Sequence, residues 1–441
     1  MPHLTPDLQL NDDRALAGLA WYAQRRPVFT GGNQVVLLKG AGELFPAMLE
    51  AIVAARHTVW VAWYLVSAQG EAARIYQALR QAVRRGVRVH VVVDGVGSSH
   101  AHDVLHNELT VAGVHVAIYR PFHKLWGVLD TSQWRRMHMK VCVVDETIGF
   151  VGGINLIDDR YDLDHGWSEE PRLDYAVQVR GPAVTPMLHT VRAMWTRAQF
   201  GRDWRDDVSA WLQDPNKVLR LKRLVQQSRL RLTPGEAGKV ARGAGDQQPM
   251  RAAFVLRDNL RQRRTIEKAA LQAIQQARER IDIVTPYFYP RRAVRIALRS
   301  AASRGVKVRL LLQGKVDHAI AGIVAKVLYG ELQAHGVRIF EYQPAFLHAK
   351  VLCVDDEWAT VGSSNLDPLS LVMNLEANLI VRDRGFVRTL SATVNQDFAA
   401  SREVPRLQRE AASTWNRGVG RRIVAAFAKV YLWLAGAGSR Y

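Results

Sequence analysis

Residues 137–155 read MHMKVCVVDETIGFVGGIN, and residues 347–365 read LHAKVLCVDDEWATVGSSN. In both stretches a histidine leads a lysine by two positions, an aspartate by seven and an asparagine by seventeen. The first set is His138, Lys140, Asp145 and Asn155; the second is His348, Lys350, Asp355 and Asn365. Each stretch predicts a hairpin. His and Lys two apart on a strand share a face. Val141 to Val144 is a small, apolar and mostly β-branched run that suits a buried strand. Asp145 and Glu146 suit a turn, Ile148 to Val151 suits the returning strand, and Gly152-Gly153 lets the chain bend Asn155 back toward the histidine. Two such hairpins in one chain predict one active site assembled from two halves.

The residue types point to phosphate chemistry. Lysine neutralises nonbridging oxygens as a point charge, asparagine donates a further hydrogen bond, and neutral imidazole attacks phosphorus or moves a proton. Two histidines allow two-step transfer, in which one attacks while the other protonates the leaving alcohol and then activates the acceptor. With Lys140, Lys350, Asn155 and Asn365 as charge partners, the reaction calls for no metal and no cofactor. Asp145 and Asp355 lie beyond the apolar run and read as turn formers or salt-bridge partners rather than as acids.

The repeat extends outward. AVRRGVRVHVVVDG (82–95) matches AASRGVKVRLLLQG (301–314), and AGVHVAIYR (112–120) matches AHGVRIFEYQ (334–343). Helical runs followed by strands precede each, at 43–66 and 265–290. Each half therefore reads helix, strand, helix, strand, helix, strand, motif hairpin, a further strand and a closing helix, an α/β layered domain. Trp195 and Phe398 occupy matching places on the closing helices and read as core aromatics. The boundaries expected are an N-terminal segment 1–30, a first half 31–200, a basic helix and linker 201–250, a second half 251–402, and a C-terminal amphipathic segment 403–441. The first half carries additional sequence at 121–137 and 158–172, loops that read either as acceptor and headgroup recognition or, for 158–172, as an acidic solvated surface. His165, without a second histidine at metal spacing, is not read as a ligand.

Composition is that of a globular protein long enough for two cores, 441 residues with 48% hydrophobic and 23% charged. The formal charge of +19 favours an anionic partner, nucleic acid or membrane, and does not choose between them. Cys142 and Cys353 fall at equivalent interior strand positions and read as buried thiols in a reducing compartment, not as a disulfide. The N-terminal stretch is polar, without the pattern of a signal peptide, and no run reaches the length of a membrane span. Residues 421–438 place Arg421, Arg422 and Lys429 beside Phe427, Tyr431 and Trp433, which suits an interfacial helix, and 208–231 reads as a second basic amphipathic helix.

The paired motifs resemble the HKD motifs of the phospholipase D superfamily. That resemblance implies two tandem phospholipase D-like α/β/α sandwich halves, one shared active site and a phosphohistidine intermediate. It implies His138 as nucleophile and His348 as general acid and base. It also implies an acidic residue orienting each histidine; Asp174 and Glu376, each heading the strand after its motif, occupy matching places. VVVDGVGS (91–98) and RLDYAVQVRGPAV (172–184) are similar to bacterial cardiolipin synthases, the short type without N-terminal spans. Phosphatidyl transfer between lipids is then the expected reaction, with phosphatidylglycerol as donor and phosphatidylethanolamine a further candidate. An anionic membrane surface is the expected partner, on the cytoplasmic face of a bacterial membrane, with no nucleic acid. Hydrolysis by the same machinery, and an HKD nuclease, remain the alternatives.

Overall fold

A computed structural model of the chain describes residues 21–22, 24–67, 70–102, 105–121, 135–162, 166–200, 250–258, 262–315, 329–365 and 374–405. The first half comprises β1 (Thr30–Lys39), α1 (Gly40–Ala54), β2 (Thr58–Trp63), α2 (Glu71–Arg84), β3 (Arg88–Asp94), β4 (His115–Tyr119), β5 (Val141–Val144), β6 (Ile148–Gly152), the short strands β7 (Tyr161–Asp162) and β8 (Gly166–Trp167), β9 (Tyr175–Arg180) and α3 (Val184–Phe200). The second half comprises β10 (Met250–Arg257), α4 (Thr265–Gln276), β11 (Arg280–Val284), α5 (Arg292–Ser303), β12 (Lys307–Gln313), β13 (Arg338–Tyr342), β14 (Val351–Val354), β15 (Trp358–Gly362), β16 (Glu376–Arg382), α6 (Arg384–Ala399) and β17 (Ser401–Glu403).

The two halves share one strand order. It runs β4-β3-β2-β5-β6-β9-β1 in the first and β13-β12-β11-β14-β15-β16-β10 in the second, with β17 added outside β13. The first three strands of each half are parallel, as their helical crossovers require, and the motif hairpin joins them antiparallel. Each half thus opens on a strand, β1 or β10, that hydrophobic periodicity had not indicated. These opening strands pair antiparallel with one another through an irregular register and make the whole a single 15-stranded sheet.

Three apolar layers follow. One, built on Leu44, Phe45, Ile75 and Leu79, packs α1 and α2 on one face of the first half. A second, built on Ile266, Ile274, Leu298 and Leu332, does the same for α4 and α5. The third is shared: Met187 and Val191 of α3 and Val387 and Leu390 of α6 pack with the inner faces of both halves. A polar lock crosses the same seam. Lys39 at the end of β1 pairs with Asp397 of α6 at 2.7 Å, and the buried Tyr175 hydroxyl donates to that carboxylate. The chain ahead of β1 also reaches across: the Tyr22 hydroxyl donates to Asp258, and Trp21 lies 5.8 Å from Phe254.

Phe398 is buried, whereas Trp195 is only partly covered. Both cysteines are free and buried. Among the described residues no helix is long and apolar enough to cross a membrane. The two basic amphipathic segments, 208–231 and 421–438, and most of the 121–137 insertion lie outside the described residues, as does His165.

Candidate active site

The motif hairpins form with the register their alternation predicts. Val141 pairs with Val151 and Cys142 with Phe150; Val351 pairs with Val361 and Cys353 with Ala359. The turns put Asp145, Glu146 and Asp355 at positive φ, a region Asp tolerates through local hydrogen bonding. The Asp145 carboxylate accepts from the backbone N–H groups of Arg56, His57 and Thr58 at 2.7–2.8 Å. Asp355 accepts likewise from Arg278, Glu279 and Arg280. Both aspartates therefore fasten the hairpin turn to the start of the neighbouring strand. They sit at the far end of the motif strand from the histidine, roughly 20 Å away at strand rise.

At the near end the two halves meet. The rings of His138 and His348 lie 6.4 Å apart between centroids. Nδ1 of His138 is 3.0 Å from both carboxylate oxygens of Glu376, and Nδ1 of His348 is 2.6 Å from Asp174. The pairing is crossed: each histidine is held by the acid of the other half. Short main-chain bridges enforce it. Met137 pairs with Leu375 and Leu173 with Leu347, in parallel, so the residue before each histidine aligns with the residue before the opposite acid. Leu375 N–H donates to Arg136, Leu173 N–H to Phe346, and His348 N–H to Leu173, each at 2.8 Å. Neither half alone contains a complete His–carboxylate pair.

The acids are supported differently. Glu376 accepts from the Ser363 hydroxyl, and that hydroxyl in turn accepts the Ala377 N–H at 3.0 Å. The position equivalent to Ser363 is Gly153, where a Cβ would stand only 2.3 Å from Asp174 Oδ1, so no side chain fits there. Asp174 instead accepts from the Tyr175 N–H at 2.8 Å. Burial resists ionisation of Glu376, but His138, Lys140 and Ser363 outweigh it and hold the carboxyl at about 2. For Asp174 burial prevails and pushes the carboxyl up to about 7 despite Lys350. Burial lowers both imidazoles, His138 to about 4 and His348 well below its ordinary value, so both are neutral at physiological pH. With its Nδ1 proton directed at Glu376, His138 presents the Nε2 lone pair.

Both lysines are buried. Lys140 Nζ lies 3.2 Å from His138 Nε2 and donates to the His138 carbonyl at 2.9 Å; Lys350 donates to the His348 carbonyl. Burial, and then the neighbouring Lys350, lower Lys140 to about 7. Asn155 is buried, and its Oδ1 has no hydrogen-bond partner among the described residues. Asn365 Oδ1 is 3.5 Å from the Thr285 hydroxyl. Neither asparagine bonds a histidine or lysine of the site. The pocket thus holds two buried lysines and two neutral imidazoles, a set that suits a tetrahedral anion. Among the described residues there is no cluster of three or more His, Cys, Asp or Glu arranged to hold a metal.

Three site-forming residues escaped the sequence reading. Tyr64, just past β2, packs its ring 4.6 Å from that of His138, with Lys140 Nζ 5.1 Å from its centre. Fully buried Asp94 accepts the Met137 N–H at 2.8 Å, and Gln313 accepts the Leu347 N–H at 3.1 Å. Asp94 and Gln313 are equivalent in the repeat, and each fixes the residue before a histidine. Their shared place at the end of the second parallel strand was the available signal.

Comparison with known proteins identifies the family of the chain. A family model described as cardiolipin synthase, PLD-like domain, matches residues 48–166 and 270–400, one stretch in each half. The chain is 39% identical over 362 residues to cardiolipin synthase B of Salmonella typhi, covering 81% of this chain and 79% of that protein. It is 31% identical over 372 residues to cardiolipin synthase A of Pseudomonas putida strain KT2440, covering 84% and 69%. The fold is shared with the crystal structure of phosphatidylserine synthase from Haemophilus influenzae Rd KW20, at a TM-score of 0.61 and 13% identity over 95% of this chain and 98% of that one. With one domain match falling on each half of the repeat, and relatives 31–39% identical over four-fifths of the chain, the chain belongs to the phospholipase D-like cardiolipin synthase family.

Proposed function

We propose that this protein is a cardiolipin synthase that transfers a phosphatidyl group from one phospholipid to the hydroxyl of a second. The observation that carries the reading is the crossed arrangement, which puts two neutral, oriented imidazoles beside two buried lysines in one pocket. His138 Nε2 attacks the phosphorus of phosphatidylglycerol, the bond to the glycerol headgroup oxygen breaks, and His348 supplies the proton that glycerol carries away. This requires His348 to be protonated at that step. Asp174, held near neutrality, is the adjoining group through which a proton can be kept within the dyad. The same His348 then takes the proton of the acceptor hydroxyl as its oxygen displaces His138 from phosphorus. Lys140, Lys350, Asn155 and Asn365 stabilise the charge on the nonbridging oxygens. Phosphatidylethanolamine is a second donor that the same pocket can accept, and the site of action is the cytoplasmic face of a bacterial membrane.

The test is expression in bacterial cells that lack cardiolipin, followed by mass spectrometry of their lipids. Appearance of cardiolipin that depends on both His138 and His348 supports the proposal. Accumulation of phosphatidic acid without cardiolipin would instead assign hydrolysis.

A further inference from the structure

We propose that Tyr161 and Trp167, on β7 and β8, are a docking element for the bilayer and sit at the boundary between headgroups and acyl chains. The inference rests on the lipid reading of the active site and adds a surface to it. Trp167 is 72% exposed and Tyr161 37%, and Trp167 is the most exposed aromatic among the described residues. Exposing so much aromatic surface to water is unfavourable unless another phase covers it. The two rings contact each other at 5.5 Å across β7 and β8, in a register that pairs Tyr161 with Trp167 directly.

The pair is held on a built platform. On the outgoing limb, half-buried Asp159 accepts the Ala41 N–H at the first turn of α1, and the backbone at Gly40 admits it closely, since a Cβ there would lie 3.0 Å from its Oδ2. On the returning limb, Ser168 N–H donates to Arg160 at 2.7 Å and Arg172 N–H to Asp159 at 2.8 Å. The Arg160 guanidinium also donates to the Glu169 carbonyl. Immediately afterwards Leu173 and Asp174 join Leu347 and His348, and the Arg172 charge is among those that depress the His348 imidazole. The aromatic pair therefore stands beside the pocket. A bilayer meeting this pair would lie against the segment that leads directly to Asp174 and His348.

The chemistry of the element selects the kind of contact. Residues 158–172 carry the carboxylates Asp158, Asp159, Asp162, Asp164, Glu169 and Glu170 against Arg160 and Arg172, so the element is net acidic and offers no net positive charge to an anionic surface. Its contribution is amphipathic burial, in which tryptophan and tyrosine settle at headgroup depth. Anionic lipid should therefore not strengthen it and salt should not weaken it, unlike binding by basic segments.

The experiment uses the full chain carrying Trp167→Ala, Tyr161→Ala or both, with Trp167→Phe as the conservative variant. Flotation with phosphatidylcholine vesicles, and with vesicles containing phosphatidylglycerol, is measured at low and high salt. In parallel, turnover is measured on a short-chain phosphatidylglycerol kept monomeric. The expected result for Trp167→Ala is a loss of vesicle partitioning of about tenfold, the scale for withdrawing one aromatic side chain from an apolar phase. That loss should be similar on both vesicles and at both salt concentrations, with Trp167→Phe keeping most of the binding. Turnover and KM on the monomeric substrate should not change. Unchanged partitioning would overturn the proposal. So would a rise in KM on the monomeric substrate matching the loss of partitioning, which would make the pair a headgroup subsite. If the wild-type chain transfers no phosphatidyl group at all, the reading of the reaction fails, while flotation still decides whether this surface meets a bilayer.

Discussion

Nζ of Lys140 stands 3.2 Å from Nε2 of His138, and the lysine is fully buried. The lysine thus meets the lone pair that would attack phosphorus. Burial and Lys350 depress that ammonium to about 7. An anion bridging the two lysines would oppose both effects and raise it again. Binding of inorganic phosphate or vanadate between pH 7 and 8 should therefore take up a proton. Calorimetry in buffers of differing ionisation enthalpy should show an uptake of up to about one proton, lost in Lys140→Met. Lys140→Arg should not restore function, because the planar fork does not replace a point charge in this site.

Removing the charge of Glu376 should slow the first chemical step more than it weakens substrate binding. Glu376→Gln keeps an acceptor for the His138 Nδ1 proton but not the anion that stabilises an imidazole becoming bonded to phosphorus. We expect kcat to fall about 10²–10⁴-fold, with KM changed little. Steady-state kinetics together with trapping of phosphohistidine at His138 would check this. A burst of phosphoenzyme as fast as wild type would exclude the role.

Asp145 should matter to stability and not to chemistry. Asp145→Ala leaves three backbone N–H groups at the entrance to β2 without their acceptor, at a cost of about 1–3 kcal/mol. Chemical denaturation should show the loss while kcat per folded molecule stays near wild type. A large fall in kcat with unchanged stability would instead give Asp145 a part in the chemistry.

Acid should destabilise the first half through His90. Its ring stacks 3.8 Å from Trp60 and 4.7 Å from His115, with Trp195 edge-on, and its Nδ1 is buried without a hydrogen-bond partner among the described residues. Burial, followed by the charges of His115, Arg88 and Arg192, lowers it to about 3 from the ordinary 6.5. The folded value lies below the unfolded one, so the unfolded chain binds the extra proton. Stability should fall as pH drops from about 6.5 toward about 3 and level off below that. His90→Phe, which keeps the stack but cannot titrate, should flatten part of this slope in urea titrations. His138, lowered to about 4, acts in the same direction and leaves a residual slope.

The hairpins, their turns, the equivalent buried cysteines and the repeated layers were legible because each rests on local alternation or on direct comparison of one half with the other. What was not legible is tertiary. Matching Asp174 with Glu376 showed that the two acids are equivalent, but the partner of each is fixed by the Met137–Leu375 and Leu173–Leu347 bridges, which no local pattern encodes. Strands β1 and β10 were missed because TGGNQVVLLK and MRAAFVLR owe their extended form to β9 and β16, long-range pairings that outweigh local preference. Asp94 and Gln313 looked like strand-end polar residues. Their role is in the backbone group they hold, and residue type does not disclose that.

The exchange of acids between halves bears on symmetry. Two identical copies of one half could also complete each other's histidines, but every substitution would then appear at both. Joined in one chain, the halves differ independently: Ser363 opposes Gly153, Glu376 opposes Asp174, and Gln313 opposes Asp94. The two imidazoles consequently face unlike surroundings although their scaffolds are alike. A reaction with distinct entering and departing alcohols has a direction, and a pocket with a true twofold axis could not distinguish one from the other.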